Sequence, residues 1–217
     1  MQQYHEAKAV AGDALLLFRM GDFYELFYDD AKTAAKAVGL TLTSRDKGEN
    51  PIAMAGFPHH QLEGYLGKLV AQGFRVAICE QVEDPKQAKG LVKREVERIV
   101  SPGTLTDDGL LDPRESNFLA AVVVDQPKGN AQARAGMAWV ELSTGHFFAS
   151  VTRVEQIGDE LARIGPAEVL LAEDETGLST AACGFAMTTF RPPFAFAYDA
   201  AQASLTKHFG AKTLEGF

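Results

Sequence analysis

Residues 15–28 read LLLFRMGDFYELFY, two apolar runs separated by the pair Gly21-Asp22. A short apolar run bounded by turn residues is typical of a buried strand. A glycine followed by an aspartate is typical of a turn. The pattern therefore predicts two strands, at 15–20 and 23–28, that are joined by a tight turn.

Alternation of side chains along the predicted strand 23–28 places Phe23 and Glu25 on one face. Because an unpaired buried carboxylate is unfavourable, either Glu25 is paired by Arg19 or a lysine, or its face is open and Phe23 is exposed. An exposed ring beside a carboxylate is suited to reading a nucleic-acid base. Two other interpretations stay open: Asp22 and Glu25 could form a capping box of a helix, or Phe23 could be a core residue.

Helical and strand patterns alternate along the first half of the chain. They predict helices at 2–11, 29–38 and 60–71 and further strands at 40–43, 52–57, 74–80 and 92–100. This alternation predicts an α/β domain with a mixed sheet and flanking helices. Residues 101–115 hold two prolines, two glycines and four acidic residues, which indicates a linker. We expect the first domain to span residues 1–112.

A second domain is expected over residues 116–217. The patterns predict strands at 119–125, 136–142, 146–151 and 168–172 and helices at 155–164 and 200–209. Three leading strands followed by a helix and a strand resemble the start of a ribonuclease-H-like α/β domain, an analogy of fold that implies no chemistry. Because no closing element precedes Phe217, we expect this domain to be incomplete.

The composition, 46% hydrophobic and 23% charged residues, is that of an ordinary globular protein. Cys79 and Cys183 are far apart, which argues against a disulfide framework or a Cys-x-x-Cys zinc site and fits a reducing cytoplasm. The first residues lack an apolar signal core, and no apolar run is long enough to span a bilayer. We expect a soluble cytoplasmic protein.

The net charge of −8 is unfavourable for binding DNA. Residues 1–112 carry 13 basic and 17 acidic side chains, and residues 113–217 carry 8 and 12. The local exception is the basic run formed by Lys86, Lys89, Lys93, Arg94 and Arg98, which we interpret as a solvated face. We therefore expect this chain by itself to bind DNA weakly.

Familiar catalytic motifs are missing from the sequence. Gly67-Lys68 is followed by leucine inside a predicted helix and is not a phosphate-binding loop. The adjacent His59 and His60 point to different sides and form a poor pair of metal ligands. A ribonuclease-H-like nuclease would need converging carboxylates, and its candidates Asp125 and Glu141 lack a third. We therefore expect no catalytic residue and no metal site.

Several stretches of the chain resemble the bacterial MutS family of mismatch repair proteins, in family order. They are GDFYELF at 21–27, PIAMAGFPHH at 51–60, VAICEQ at 76–81, RIVSPGT at 98–104 and PAEVL at 166–170. The resemblance is close over 1–115 and weaker over 116–217. It implies a mismatch-recognition domain followed by a connector domain.

The resemblance also implies a role for each residue of the Phe-x-Glu motif. Phe23 would wedge into the duplex at a mispair from the minor-groove side and kink it, and Glu25 would hydrogen-bond the displaced base. Specificity would come mainly from deformability, since a mispair yields at lower cost than paired DNA. Further residues expected near the DNA are Met20, Asp22, Met54, Pro58 and His59.

The resemblance finally implies what this chain lacks and what it binds. Family members carry a longer N-terminus, a lever, a clamp and an ATPase that uses ATP and Mg²⁺, so we expect no enzymatic activity and no cofactor here. The connector would relay the ATPase state and meet MutL. The family protein is a homodimer in the nucleoid, whereas this chain is expected to be a monomer. The alternatives are a protein-interaction module with Phe23 in its core, and a nuclease.

Overall fold

The computed structural model describes residues 1–44, 51–83, 90–125, 133–178 and 187–215. The chain folds into two compact units, Met1–Leu111 and Asp112–Phe217. Lys86, Lys89 and Cys183 lie outside the described residues. Within the described ranges, no helix is both long and apolar enough to cross a membrane.

The first unit is an α/β domain built on one sheet. Its elements are α1 (Gln2–Ala11), β1 (Leu15–Met20), β2 (Phe23–Phe27), α2 (Tyr28–Val38), β3 (Thr43–Ser44), β4 (Ala53–Pro58), α3 (Leu62–Ala71), β5 (Val76–Gln81) and β6 (Arg94–Val100). The strand order is β3-β4-β2-β1-β5-β6. Because β1 and β5 are parallel and the other pairs are antiparallel, the sheet is mixed, as the sequence predicts.

Both faces of this sheet are covered by helices. Tyr24 and Leu26 of β2 belong to the cluster under α2 and α3. Phe18 of β1 and Phe27 of β2 belong to the opposite cluster, under α1. Burial on both faces explains why β1 is a continuous apolar run and not an alternating one.

Three sequence predictions for the first unit need correction. The strand expected at 40–43 is β3 at Thr43–Ser44, because Leu40 packs against the core under α2 and α3. The helix expected from residue 60 begins at Leu62, after a 3-10 turn over His59–Gln61. The expected linker is partly ordered, since Leu105, Leu110 and Leu111 pack against the same core.

The second unit is also built on one mixed sheet. Its elements are β7 (Phe118–Asp125), β8 (Arg134–Glu141), β9 (His146–Arg153), α4 (Ile157–Ile164), β10 (Glu168–Ala172), β11 (Met187–Arg191) and α5 (Tyr198–Phe209). The order is β11-β10-β7-β8-β9, with β7 to β9 antiparallel and β10 and β11 parallel to β7. The three leading strands, the helix and the strand after it occur in the order that the sequence predicts, and the sheet is mixed with flanking helices. β11 is not among the predicted strands, because MTTFR has little apolar alternation.

Candidate nucleic-acid interface

The β1–β2 hairpin presents Phe23 at the first position after its turn. Met20 and Phe23 are cross-strand partners, so the turn is the pair Gly21-Asp22. Gly21 has a φ of 57°, and a glycine with positive φ at the first turn position is typical of type II′ hairpins. Phe23 is 47% exposed, whereas the next residue, Tyr24, is 1% exposed. The helix-cap and core interpretations of this segment are therefore wrong.

Glu25 lies on the same face of β2 as Phe23 and is partly exposed. Its cross-strand partners are Phe18 in β1 and Gly56 in β4. A Cβ atom at position 56 would lie 2.7 Å from the Tyr24 carbonyl oxygen and 3.5 Å from Glu25 Cγ. The glycine therefore lets β4 approach β2 closely beside the Glu25 side chain.

Helix α1 covers only part of this sheet face. The Tyr4 ring meets the rings of Phe18 and Phe27 edge-on, at centroid distances of 5.6 and 5.0 Å. Along β2, burial falls from the fully covered Phe27 through Glu25 to the exposed Phe23. The cover therefore ends between Phe27 and Phe23, and it leaves an aromatic ring and a carboxylate side by side at the margin.

Four more of the predicted site residues surround Phe23. Met20 pairs with Phe23 on one side and Pro58 pairs with it on the other. The His59 backbone N–H donates to the Asp22 carbonyl oxygen at 2.8 Å, and His59 Nδ1 lies 3.2 Å from the same oxygen. We call this set the hairpin surface: Met20, Asp22, Phe23, Glu25, Pro58 and His59.

Met54 lies apart from the hairpin surface. It pairs with Phe27 and packs against the cluster under α1. It lies four positions before Pro58 on β4, a distance of about 13 Å at the usual strand rise. The strand that the sequence predicts at 52–57 is β4, and a 3-10 turn over His59–Gln61 follows it.

A polar cluster lies on the other face of the hairpin, and sequence reasoning did not find it. Arg19 and Tyr24 are cross-strand partners there, so Arg19 does not share a face with Glu25. Arg19 Nη1 is 3.7 Å from Glu80 Oε1, and the Tyr24 hydroxyl donates to the same carboxylate. Burial, together with Glu80, raises the pKa of Tyr24 above its ordinary value.

The described members of the basic run bond within the chain. Lys93 pairs with Glu95 at 2.5 Å and Arg98 pairs with Asp107 at 3.0 Å. Arg94 donates to the carbonyl oxygens of Arg19 and Val92, at 2.6 and 2.7 Å. This pattern agrees with a solvated structural face and offers little unpaired charge for phosphates.

The nuclease candidates Asp125 and Glu141 lie at opposite ends of the β7–β8 ladder. Asp125 pairs with Arg134 and Glu141 pairs with Phe118, which separates the acids by about 24 Å at the usual strand rise. Glu141 accepts a hydrogen bond from the Thr144 hydroxyl, which lowers its pKa. Among the described residues, no three His, Cys, Asp or Glu side chains could hold one metal ion. A nuclease centre formed by these two acids is therefore wrong.

Comparisons with known proteins agree with this architecture. Family models for MutS domain I and MutS domain II match residues 1–109 and 117–217. The chain is 56% identical over 231 positions to the DNA mismatch repair protein MutS of Rhodopirellula baltica, which covers 100% of this chain and 26% of that protein. The chain therefore belongs to the MutS family of DNA mismatch repair proteins. It spans about a quarter of that relative's length, and its residues correspond to domains I and II.

One solved structure is a distant match: the cryo-EM structure of a simian T-cell lymphotropic virus intasome in complex with the PP2A regulatory subunit B56 gamma. The identity is 14%, the TM-score is 0.25, and the match covers 43% of this chain and 42% of that chain. A likeness of this size carries no conclusion about fold or function.

Proposed function

We propose that the hairpin surface reads mispaired DNA, with Phe23 as a wedge and Glu25 as a hydrogen-bond acceptor for the displaced base. The observation that carries the proposal is the exposed Phe23 ring beside a partly exposed carboxylate, at the end of β2 that helix α1 leaves uncovered. An apolar wedge that unstacks one base step kinks the duplex. A mispair resists this less than paired DNA does, so the wedge selects deformable sites.

The strand beneath Phe23 supports a wedge role. β2 is hydrogen-bonded to β1 on one side and to β4 on the other. A side chain on a paired central strand is held in direction before it meets its target, which lowers the entropy lost on binding. Phe23 can therefore press on a base step without a loop having to order first.

Glu25 adds discrimination through an electrostatic penalty. A carboxylate near phosphates is unfavourable, and a base that donates a hydrogen bond to it offsets this penalty. In paired DNA the base edges are already engaged, so the penalty remains. Met20, Asp22, Pro58 and His59 would flank the duplex, and Met54 would lie farther away.

The second unit is proposed to act as a connector. In the longer protein it would relay the state of the ATPase, which binds ATP and Mg²⁺ outside these residues, and would meet MutL. Dimer formation and nucleoid association would likewise belong to the longer protein. With a net charge of −8, residues 1–217 would recognise the mispair but would contribute little to the overall affinity for DNA.

The test compares Phe23→Ala and Glu25→Ala in the full-length protein, on mismatched and matched duplexes. Phe23→Ala is expected to weaken mismatched binding by at least about tenfold, as removal of an aromatic anchor usually does, and to leave matched binding nearly unchanged. Glu25→Ala is expected to strengthen matched binding, because repulsion is relieved. Fluorescence anisotropy at fixed salt measures both affinities.

The matched control is Phe147→Ala, since Phe147 on β9 is 53% exposed and lies in the other unit. It should change neither affinity. An equal loss on both duplexes with Phe23→Ala, or no loss at all, would contradict the wedge role.

A further inference from the structure

Two residues, Arg19 and His59, donate hydrogen bonds to the Gly21-Asp22 turn that precedes Phe23. Arg19 Nε donates to the Gly21 carbonyl oxygen at 2.5 Å. His59 bonds the Asp22 carbonyl oxygen through its backbone N–H. Both carbonyl groups of the two-residue turn are therefore engaged, and the orientation of the hairpin tip depends on where Arg19 and His59 are held.

Arg19 is held in turn by Glu80 of β5. Its Nη1 atom is 3.7 Å from Glu80 Oε1, and both side chains are largely covered, at 17% and 28% exposed. The guanidinium carbon also lies 5.5 Å from the centre of the Tyr24 ring. An ion pair that is partly withdrawn from water is less screened than a surface pair, so this one can fix the direction of Arg19.

Glu80 also contacts the residue next to Phe23 directly. The Tyr24 hydroxyl donates to Glu80 Oε1, and the Gln81 backbone N–H donates to Glu80 Oε2 at 3.3 Å. One carboxylate thus joins β5 to both flanks of the turn, through Arg19 on β1 and through Tyr24 on β2.

We propose that Glu80 is a positioning residue for Phe23: it fixes the Gly21-Asp22 turn through Arg19 and the start of β2 through the Tyr24 hydroxyl. The inference rests on the proposed function of Phe23. Glu80 acts from the face opposite Phe23 and does not touch DNA. Its effect is to hold the wedge at one angle, because a misdirected wedge unstacks a base step less effectively.

The test is a double-mutant cycle in the full-length protein, with Glu80→Gln, Phe23→Ala and the combined variant. Glu80→Gln keeps an acceptor for the Tyr24 hydroxyl and removes the charge that faces Arg19. It is expected to lower the ratio of mismatched to matched affinity about 3- to 10-fold, because Arg19 loses its ion-pair partner and the Gly21-Asp22 turn is held less firmly. In the Phe23→Ala background the same change should alter the ratio less than about twofold, because coupled residues are not additive.

A spectroscopic readout separates positioning from general stability. A 2-aminopurine base beside the mispair fluoresces when it is unstacked, and Glu80→Gln should reduce that signal at saturating protein. Glu97→Gln is the matched control, since Glu97 is an exposed carboxylate on β6 of the same sheet, and it should leave both readouts unchanged. Arg19→Lys serves as the second variant if Glu80→Gln folds poorly. A lysine keeps the positive charge but lacks the planar guanidinium group that contacts the turn and Glu80 at the same time.

The outcomes distinguish the two proposals. If Phe23→Ala leaves the affinity ratio unchanged, the proposed function fails and the positioning role fails with it. If Phe23→Ala lowers the ratio while Glu80→Gln and Arg19→Lys do not, the positioning role alone is overturned. An equal effect of Glu80→Gln in both backgrounds would also overturn it, because that is the behaviour of a residue that only stabilises the fold.

Discussion

Gly56 stands directly across from Glu25 in the β2–β4 pair. Its importance is steric, because a Cβ atom there would meet the Tyr24 carbonyl oxygen, a backbone atom that cannot move aside alone. Gly64 in α3 has no neighbour within 4 Å of such an atom. Substitution by alanine should therefore have opposite effects on stability at Gly56 and at Gly64.

Gly56→Ala is expected to destabilise the protein by about 1–3 kcal/mol, the usual effect of forcing backbone apart in a packed region. Gly64→Ala is expected to stabilise it by up to about 1 kcal/mol, because alanine favours an exposed helical position. Urea unfolding followed by circular dichroism measures both. A neutral Gly56→Ala would show that β4 does not approach β2 as closely as described.

Strand β2 is buried along most of its length and exposed at one end. Its Tyr24 face and the Phe27 end of its other face are buried, and only the end that bears Phe23 is open. Two phenylalanines on the same face of one strand therefore differ almost wholly in burial. This contrast separates the stability of the sheet from the proposed reading of DNA.

Phe27→Ala is expected to lower the free energy of unfolding by about 3–5 kcal/mol, as loss of a buried aromatic ring does. Phe23→Ala is expected to lower it by less than about 1 kcal/mol, because exposed positions rarely contribute more. Chemical denaturation of both variants provides the comparison. Similar losses would mean that Phe23 is buried and would remove the basis of the wedge proposal.

The elements that sequence reasoning predicted best are those with a strong local period. β1, β2 and α3 follow from apolar runs and from 3.6-residue spacing. β11 does not, because its pairing with β10 depends on tertiary context and not on its own pattern.

Within the site, alternation predicted that Phe23 and Glu25 share a face. The exposure of Phe23 depends on how far α1 covers the sheet. The contact between Tyr24 and Glu80 joins residues that are 56 positions apart in the chain. Neither feature could be predicted from the local sequence.

At the scale of the molecule, the described groups whose pKa is raised chiefly by burial, Tyr4, Tyr24 and Cys79, all lie in the first unit. Burial raises the pKa of Cys79 from 9.0 to about 11. Burial likewise raises the pKa of Tyr4 and of Tyr24 above the ordinary 10.0. Each of these groups holds its proton more tightly in the folded chain than in the unfolded chain.

The stability of the first unit is therefore expected to fall in alkaline solution. The unfolded chain releases these protons first, so the stabilisation is complete below about pH 9 and is lost as pH rises through the raised values. Urea midpoints at about pH 8 and about pH 10.5, measured by circular dichroism, test this. Trp139, the single tryptophan, reports on the second unit by fluorescence, and its midpoint should shift less.

Two variants serve as controls for the alkaline effect. Cys79→Ala and Tyr24→Phe each remove one titrating group, so each should reduce the difference between the two midpoints. A midpoint that is the same in the neutral and the alkaline buffer would contradict the prediction.

The pairing of β2 on both edges has a consequence for how such a protein evolves. The backbone under Phe23 and Glu25 is fixed by β1 and β4 and not by the two side chains themselves. Exchanges at these two positions therefore leave the amount of folded protein in a cell nearly constant. Under the proposed reading of DNA, variation at these two positions should change which mispairs are bound, while variation at Phe27 or Gly56 should lower the amount of folded protein.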